Sequence, residues 1–187
     1  MEKVLIVIPA RYGSSRLPGK PLVKIKGIEM IKRVSDIADF VCRKNESCSY
    51  LVATDDERIL QAVRDHGGEA MMTRKDHPTG TDRLAEVAAS FPDVDLIINV
   101  QGDEPLIDPG LIDQLASVFE TDPDLCMATV KTQMFDEAEQ TNPNNVKVVT
   151  DRHGYALYFS RSLLPYPRHK GCPVYKHIGI YAYQRKF

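Results

Sequence analysis

The sequence predicts an α/β domain built on a doubly wound, mixed but mostly parallel sheet. Three observations carry this. Short apolar runs rich in Val and Ile alternate with segments of helical periodicity, the links between them are short, and Gly- and Pro-rich loops follow the apolar runs. Val4 to Ile8 is too short and too β-branched for a helix and reads as a buried strand of a parallel sheet. The next dozen residues carry two prolines, two glycines, two serines and three cations, Arg11, Arg16 and Lys20, so they form a cationic loop. Met30, Ile31, Val34, Ile37, Ala38 and Val41 recur at helical spacing. Tyr50 to Thr54 is a second strand, and Ile59, Leu60 and Val63 mark a helix ending at Gly67-Gly68. Ala70 to Thr73 is a short third strand.

Leu84, Val87, Ala88 and Phe91 line a helix that begins near Asp82, with Thr81 or Asp82 as its N-cap. Leu96 to Val100, apolar apart from Asn99, is the central strand. Leu111 to Phe119 is helical and Met127 to Lys131 extended. Right-handed crossovers bring the strand carboxyl ends to one rim, where the loops after Ile8, Thr54 and Val100 converge. From Asn145 the texture changes to Tyr-rich extended segments, Val146 to Thr150, Tyr155 to Ser160 and His177 to Tyr183, broken by Gly154 and Pro165-Tyr-Pro167. The chain therefore reads as a single domain, with a core over 1–144 and a smaller β-rich subregion over 145–187.

Composition narrows the function. The 187 residues are 43% apolar and 27% charged with a net charge of −2, so no face-wide basic excess points to nucleic acid. No apolar run approaches the roughly 18 residues needed to span a bilayer, and the run at Val4 is too short for a signal peptide. Cys42, Cys48, Cys126 and Cys172 lack the spacing of a zinc site, and free thiols in a reducing cytoplasm are expected.

The loop between Ile8 and Lys20 offers backbone N–H groups and cations suited to a polyanion such as a triphosphate. It lacks the Gly-x-x-x-x-Gly-Lys-Ser/Thr pattern of the common phosphate loop, and a solvated basic turn is the alternative. Gln101-Gly-Asp-Glu-Pro105 follows the central strand. Asp103 and Glu104 there suit a hard, oxygen-ligated cation, or form a plain acidic turn. Thr79-Gly-Thr-Asp-Arg83 opens the third helix, as an anion or base-edge site or as simple capping. Thr54-Asp55-Asp56 reads as support for the loop or as a cap for the next helix.

Pro9-Ala-Arg-Tyr-Gly-Ser-Ser-Arg-Leu-Pro-Gly-Lys-Pro-Leu22 resembles the N-terminal signature of the sugar nucleotidyltransferases, in the form carried by cytidylyltransferases that activate 3-deoxy-manno-octulosonate (Kdo). Gln101-Gly-Asp-Glu-Pro105 is similar to their second signature, and His77-x-x-Gly-Thr-Asp-Arg83 to their nucleotide-binding segment, with Thr79 where many relatives have serine. Phe159-Ser160-Arg161 and Lys176-His-Ile-Gly-Ile-Tyr181 resemble segments that line the acceptor pocket.

The resemblance implies a nucleotide-diphospho-sugar transferase-like fold and transfer of CMP from CTP to an acidic 2-keto-3-deoxy sugar, Kdo first, with a sialic acid or 8-amino-Kdo as the alternative. It implies nucleotide contacts from Pro9, Ala10, Arg11, Gly13, Ser14, Lys20, Thr79, Gly80, Arg83 and Gln101. Asp103 would hold Mg²⁺, with Arg11 and Lys20 sharing the catalytic work. Acceptor contacts fall to Arg161, His177 and Tyr181, because an acidic sugar needs a cation and hydrogen-bonding groups. It further implies a homodimer, a Gram-negative cytoplasm, and neither nucleic acid nor membrane insertion. Family members continue for several dozen residues past the position of Phe187, with a Glu-Gln pair for the acceptor, a second metal-binding Asp and part of the dimer contact. A chain that binds nucleotide without turnover is therefore the other reading.

Overall fold

The structure, a computed structural model, describes residues 2–13, 17–122, 124–169 and 171–187. Its elements follow the predicted alternation. Strand β1 (Val4–Ala10) leads through a 3-10 turn (Lys20–Leu22) and a small hairpin, β2 (Lys24–Ile25) and β3 (Ile28–Glu29), into α1 (Met30–Cys42). Then come β4 (Cys48–Thr54), α2 (Glu57–Asp65), β5 (Ala70–Met72), α3 (Gly80–Ser90), β6 (Leu96–Asn99) and α4 (Pro109–Thr121). The rest comprises β7 (Met127–Met134), α5 (Glu137–Thr141), β8 (Lys147–Thr150), β9 (Ala156–Ser160) and β10 (Val174–Gln184).

Two compact units divide the chain: one runs to Ala128 and is rejoined by Ile180–Phe187, the other spans Thr129–Gly179. The division differs from the boundary at 144/145 read from the sequence. Composition changes at Asn145, but the second unit already begins within β7. The end of β10 returns to the first unit, where Tyr181 pairs with Asn99 and Gln184 with Leu96.

In the first unit the strands are ordered β5-β4-β1-β6-β10. The β1 strand is parallel to both neighbours, with Val4 opposite Cys48 and Leu96, and β10 is antiparallel to β6. The fold class predicted from the sequence is thus the observed one. Side chains alternate between the faces. Leu5, Val7, Leu51, Ala53 and Ile97 pack beneath Leu84 and Val87 of α3. Ile6 and Ile98 point the other way, toward Val41 of α1 and Ile112 of α4. Burial on both faces explains why β1 and β6 read as mostly apolar runs, Asn99 being the polar residue buried in β6.

The helix starts are set locally. Asp56 caps α2 by accepting from the Arg58 N–H, and Asp108 caps α4 ahead of Pro109. The cap of α3 is Thr79, earlier than the Thr81 or Asp82 that the sequence suggested. Its hydroxyl accepts from the Asp82 N–H while the Asp82 carboxylate accepts from the Thr79 N–H, a reciprocal box.

The cysteine expectation is corrected in part. Cys42 ends α1 and Cys48 opens β4, and the turn between them brings their Cα atoms to 4.7 Å, where they form a disulfide. Cys126 and Cys172 are free. A spacing of six residues gave no sign of this, because the proximity comes from the helix-to-strand reversal.

In the second unit, β8 pairs antiparallel with β9, Lys147 opposite Ser160, and with β10, Lys176 opposite Lys147. Lys147 is fully buried, and its Nζ donates to the carbonyls of Asn142, Asn145 and Arg161 at 2.8–2.9 Å. Burial pushes its pKa down from the usual lysine value. Lys147→Met should leave these carbonyls without their donor, at about 1–3 kcal/mol per unsatisfied buried group. A loss of at least about 2 kcal/mol in a urea titration is expected; a neutral or stabilised variant would mean that these bonds contribute nothing net.

Candidate active site

The parallel pairing of β1 with β4 and β6 delivers three loops to one rim. After β6, Val100 still donates to the Val7 carbonyl, and the chain then turns, with the Glu104 N–H reaching the Gln101 carbonyl. Gly102 packs so closely on β1 that a Cβ there would lie 3.0 Å from the Pro9 carbonyl oxygen and 3.6 Å from the Ala10 Cβ. Glycine is what lets Asp103 sit beside the end of β1.

The cationic loop is closed by the Gly19 N–H on the Tyr12 carbonyl at 2.9 Å. Gly19 is left-handed (φ 68°), and a Cβ there would meet the Tyr12 ring at 2.9 Å. That ring lies under the Arg58 guanidinium, 3.4 Å from its centroid, and Arg58 is forked onto Asp56 at 2.7–2.8 Å. The Arg58 hydrogen bonds hold the Asp56 carboxyl below its ordinary pKa. Asp55 accepts from the Tyr12 N–H at 3.3 Å. Both readings of Thr54-Asp55-Asp56 hold at once: Asp55 supports the loop and Asp56 caps the helix.

A pocket of about 130 Å³ opens at this rim, lined by Pro9, Ala10, Arg11, His77, Thr79, Gly80, Arg83 and Gln101. Seven of the ten nucleotide residues expected from the sequence thus share one cavity. Gly13 lies exposed in the adjoining loop, Lys20 opens the 3-10 turn, and Ser14 falls outside the described residues, as do Ser15 and Arg16. Arg83 is not a free cation. It is only 3% exposed and donates from one Nη to Asp55 at 2.8 Å and from the other to the Thr73 hydroxyl. His77 went unassigned in the sequence reading, although it begins the segment that ends at Arg83. It is buried and hydrogen-bonded to Glu86 of α3, and that bond lowers the Glu86 pKa.

Lys20 Nζ lies 2.6 Å from Asp103 Oδ2, with side chains 38% and 47% exposed. The sequence assigned the first to phosphates and the second to a metal; the structure places them in contact. Among the described residues no three His, Cys, Asp or Glu side chains gather to hold a metal ion. One accessible carboxylate suits Mg²⁺, which commonly takes one or two carboxylates together with substrate phosphates and water. The Lys20 ammonium is the cation that the Asp103 carboxylate meets.

The expected acceptor residues divide between the units. In the first, Tyr181 stacks on Tyr183 with centroids 6.0 Å apart, and burial raises both phenol pKa values. In the second, the Thr129 hydroxyl donates to the Ile178 carbonyl and sits 3.0 Å from His177 Nε2. Burial lowers the His177 pKa, and the Phe159 ring meets it edge-on at 4.9 Å. Arg161 is exposed and donates to the Pro143 carbonyl.

Residues 5–187 match the family model described as cytidylyltransferase. The chain is 51% identical to the 3-deoxy-manno-octulosonate cytidylyltransferase of Fusobacterium nucleatum, over 99% of this chain and 74% of that protein. It is 49% identical to the enzyme of the same name from Syntrophotalea carbinolica, over 98% of this chain and 76% of that one. Among solved structures, CMP:2-keto-3-deoxy-manno-octonic acid synthetase complexed with CTP superposes with a TM-score of 0.91 at 48% identity, covering 99% of this chain and 75% of the other. The chain spans about three-quarters of the length of each.

The Asp55–Arg83 pair, with side chains 14% and 4% exposed, is buried enough that breaking it strands a charge. Asp55→Ala should lower the unfolding free energy by about 3 kcal/mol or more. A chemical denaturation curve within about 1 kcal/mol of the parent would show that Arg83 finds water instead.

Proposed function

The chain belongs to the cytidylyltransferase family, and on that premise we propose that it transfers CMP from CTP to Kdo, giving CMP-Kdo and pyrophosphate for lipopolysaccharide synthesis. The convergence of Pro9, Ala10, Arg11, Thr79, Gly80, Arg83 and Gln101 on one pocket beside the Lys20–Asp103 pair carries this reading. In it the pocket takes the nucleotide, and the triphosphate lies over the cationic loop. Arg11, exposed at the end of β1, and Lys20 neutralise the phosphate charge that builds during transfer.

Lys20 and Asp103 hold each other in an exposed pair worth little on its own, so a triphosphate can draw Lys20 away and release the Asp103 carboxylate. Asp103 would then hold Mg²⁺. When bound, the ion shields the phosphates and lowers the pKa of a neighbouring hydroxyl. The anomeric hydroxyl of the acceptor attacks the α-phosphate and pyrophosphate leaves. In the second unit, Arg161 offers a bidentate partner for a carboxylate and His177 a hydrogen bond to a hydroxyl; in the first, Tyr181 offers a hydrogen bond of its own.

The enzyme acts in the cytoplasm as a homodimer in this proposal. No helix among the described residues is long and apolar enough to cross a membrane. Strand β9 leaves Leu157, Tyr158 and Phe159 exposed, the kind of apolar surface that a second copy covers.

Two substitutions separate the roles of the paired residues. Lys20→Ala should weaken CTP binding about tenfold in calorimetry. Asp103→Asn should cut turnover by about a hundredfold, close to 3 kcal/mol of barrier, with an unchanged melting temperature. Wild-type CTP affinity in the first, or undiminished metal-dependent turnover in the second, removes the corresponding role.

The acceptor is tested directly. Given CTP, Mg²⁺ and a panel of acidic sugars, the protein should release pyrophosphate with Kdo in preference to N-acetylneuraminate. A preference for the sialic acid would reassign the acceptor.

A further inference from the structure

Of the side chains lining the 130 Å³ pocket, His77 is one whose hydrogen-bonding sense is fixed by the scaffold behind it while one ring nitrogen is left over. Its imidazole is buried, and Nε2 is hydrogen-bonded to Glu86 Oε2. Glu86 sits on α3, also accepts the Arg74 backbone N–H at 3.1 Å, and has the Arg74 guanidinium 3.9 Å away. The His77 bond first, and the Arg74 contacts after it, hold its pKa below the ordinary carboxyl value, so it is a carboxylate. An ionised carboxylate only accepts, so the hydrogen in this bond belongs to Nε2. In the neutral ring, Nδ1 is then a bare acceptor.

The other polar side chains of the pocket do not offer a fixed acceptor, and Arg11, like Arg83, only donates. The Thr79 hydroxyl is committed to Asp82, donating to its carboxylate and accepting from its N–H. Arg83 spends its two terminal nitrogens on Asp55 and Thr73. Gln101 carries a carboxamide that can turn either its oxygen or its nitrogen toward a ligand.

Cytosine and uracil differ at one edge: cytosine shows an amino donor at C4, where uracil shows a carbonyl acceptor. A fixed acceptor favours the first and faces the second with like against like, which leaves two acceptors without a donor.

We propose that His77, held by Glu86 in the Nε2–H tautomer, is the residue that selects CTP over UTP, by accepting the amino group of the cytosine ring at Nδ1. This rests on the reading that the pocket takes the base of the nucleotide. Glu86 is then a positioning residue: it touches no ligand and acts through the ring it orients.

Calorimetric affinities for CTP and UTP, measured near pH 8 on the whole chain, test it. The wild type should prefer CTP. Glu86→Gln offers Nε2 either a donor or an acceptor and so frees the tautomer, and it should lower the CTP-to-UTP preference about tenfold. His77→Gln keeps a polar atom near the Nε2 position but loses Nδ1, and should lower the preference equally. His77→Asn puts a carboxamide oxygen near the Nδ1 position and should retain more of the preference than His77→Gln. Should Glu86→Gln fail to fold, the two His77 variants carry the comparison alone.

A role in folding only would lower melting temperatures and leave the affinity ratio untouched in all variants, which would overturn the proposal. A wild type that binds CTP without preferring it to UTP would overturn it too. A wild type that binds neither nucleotide would instead overturn the nucleotide reading of the pocket.

Discussion

The parallel pairing of β1 between β4 and β6 is the constraint on which the rest of the first unit depends. Parallel neighbours point their carboxyl ends the same way, so the segments after Ala10, Thr54 and Asn99 must emerge on one rim. Everything at the candidate site follows from that delivery. Asp55 can hold the Tyr12 N–H, Gly102 can lie against the Pro9 carbonyl, and Asp103 can meet Lys20, although these partners lie far apart in the chain. The cost of closing such long loops is met by the apolar strands and not by the loops themselves. Leu5, Val7, Leu51 and Ile97 are buried under α3 with Ala53, and each of the four larger side chains contributes roughly 1.5–3 kcal/mol.

Carboxylates stand behind the cations of this rim, and burial sorts them by task. Asp55–Arg83 is withdrawn from water, so opening it costs several kcal/mol, and Arg83 is a fixed wall of the pocket. Lys20–Asp103 is well exposed, and pairs of that kind are worth about 0–1 kcal/mol, so it can open whenever a better partner arrives. The Arg58–Asp56 fork lies between the two in function. Its own strength is modest, but it keeps a guanidinium flat on the Tyr12 ring, and that ring packs where Gly19 has no side chain. An exposed pair of charges therefore sits beside a buried ion pair and a braced loop.

The second unit follows another logic. Its strand β9 is exposed along most of its length, so apolar burial alone is a weak source of order there. Lys147 compensates by tying the segment at Asn142 and Asn145 to the segment after β9 with one buried ammonium. A lysine without a carboxylate partner is costly to bury, which is why its three carbonyl contacts matter.

Strand and helix identity were legible in the sequence because apolar periodicity is a local property: the runs at Val4, Tyr50 and Leu96 and the helical spacing from Met30 needed no knowledge of their neighbours. The loop motifs were legible too, as clusters of Gly, Pro and charge after apolar runs, while only the structure shows that Gly19 lies against the Tyr12 ring and Gly102 against the Pro9 carbonyl. What the chain alone left undecided depends on who meets whom. The Cys42–Cys48 bond, the withdrawal of Arg83 into an ion pair with Asp55, the His77–Glu86 contact, and a second unit that begins in β7 all arise from packing between segments. Residue types and spacing determined which chemistry is present. Only the tertiary structure decided which charges are spent on the scaffold and which stay available, because burial and partner geometry are properties of the folded chain.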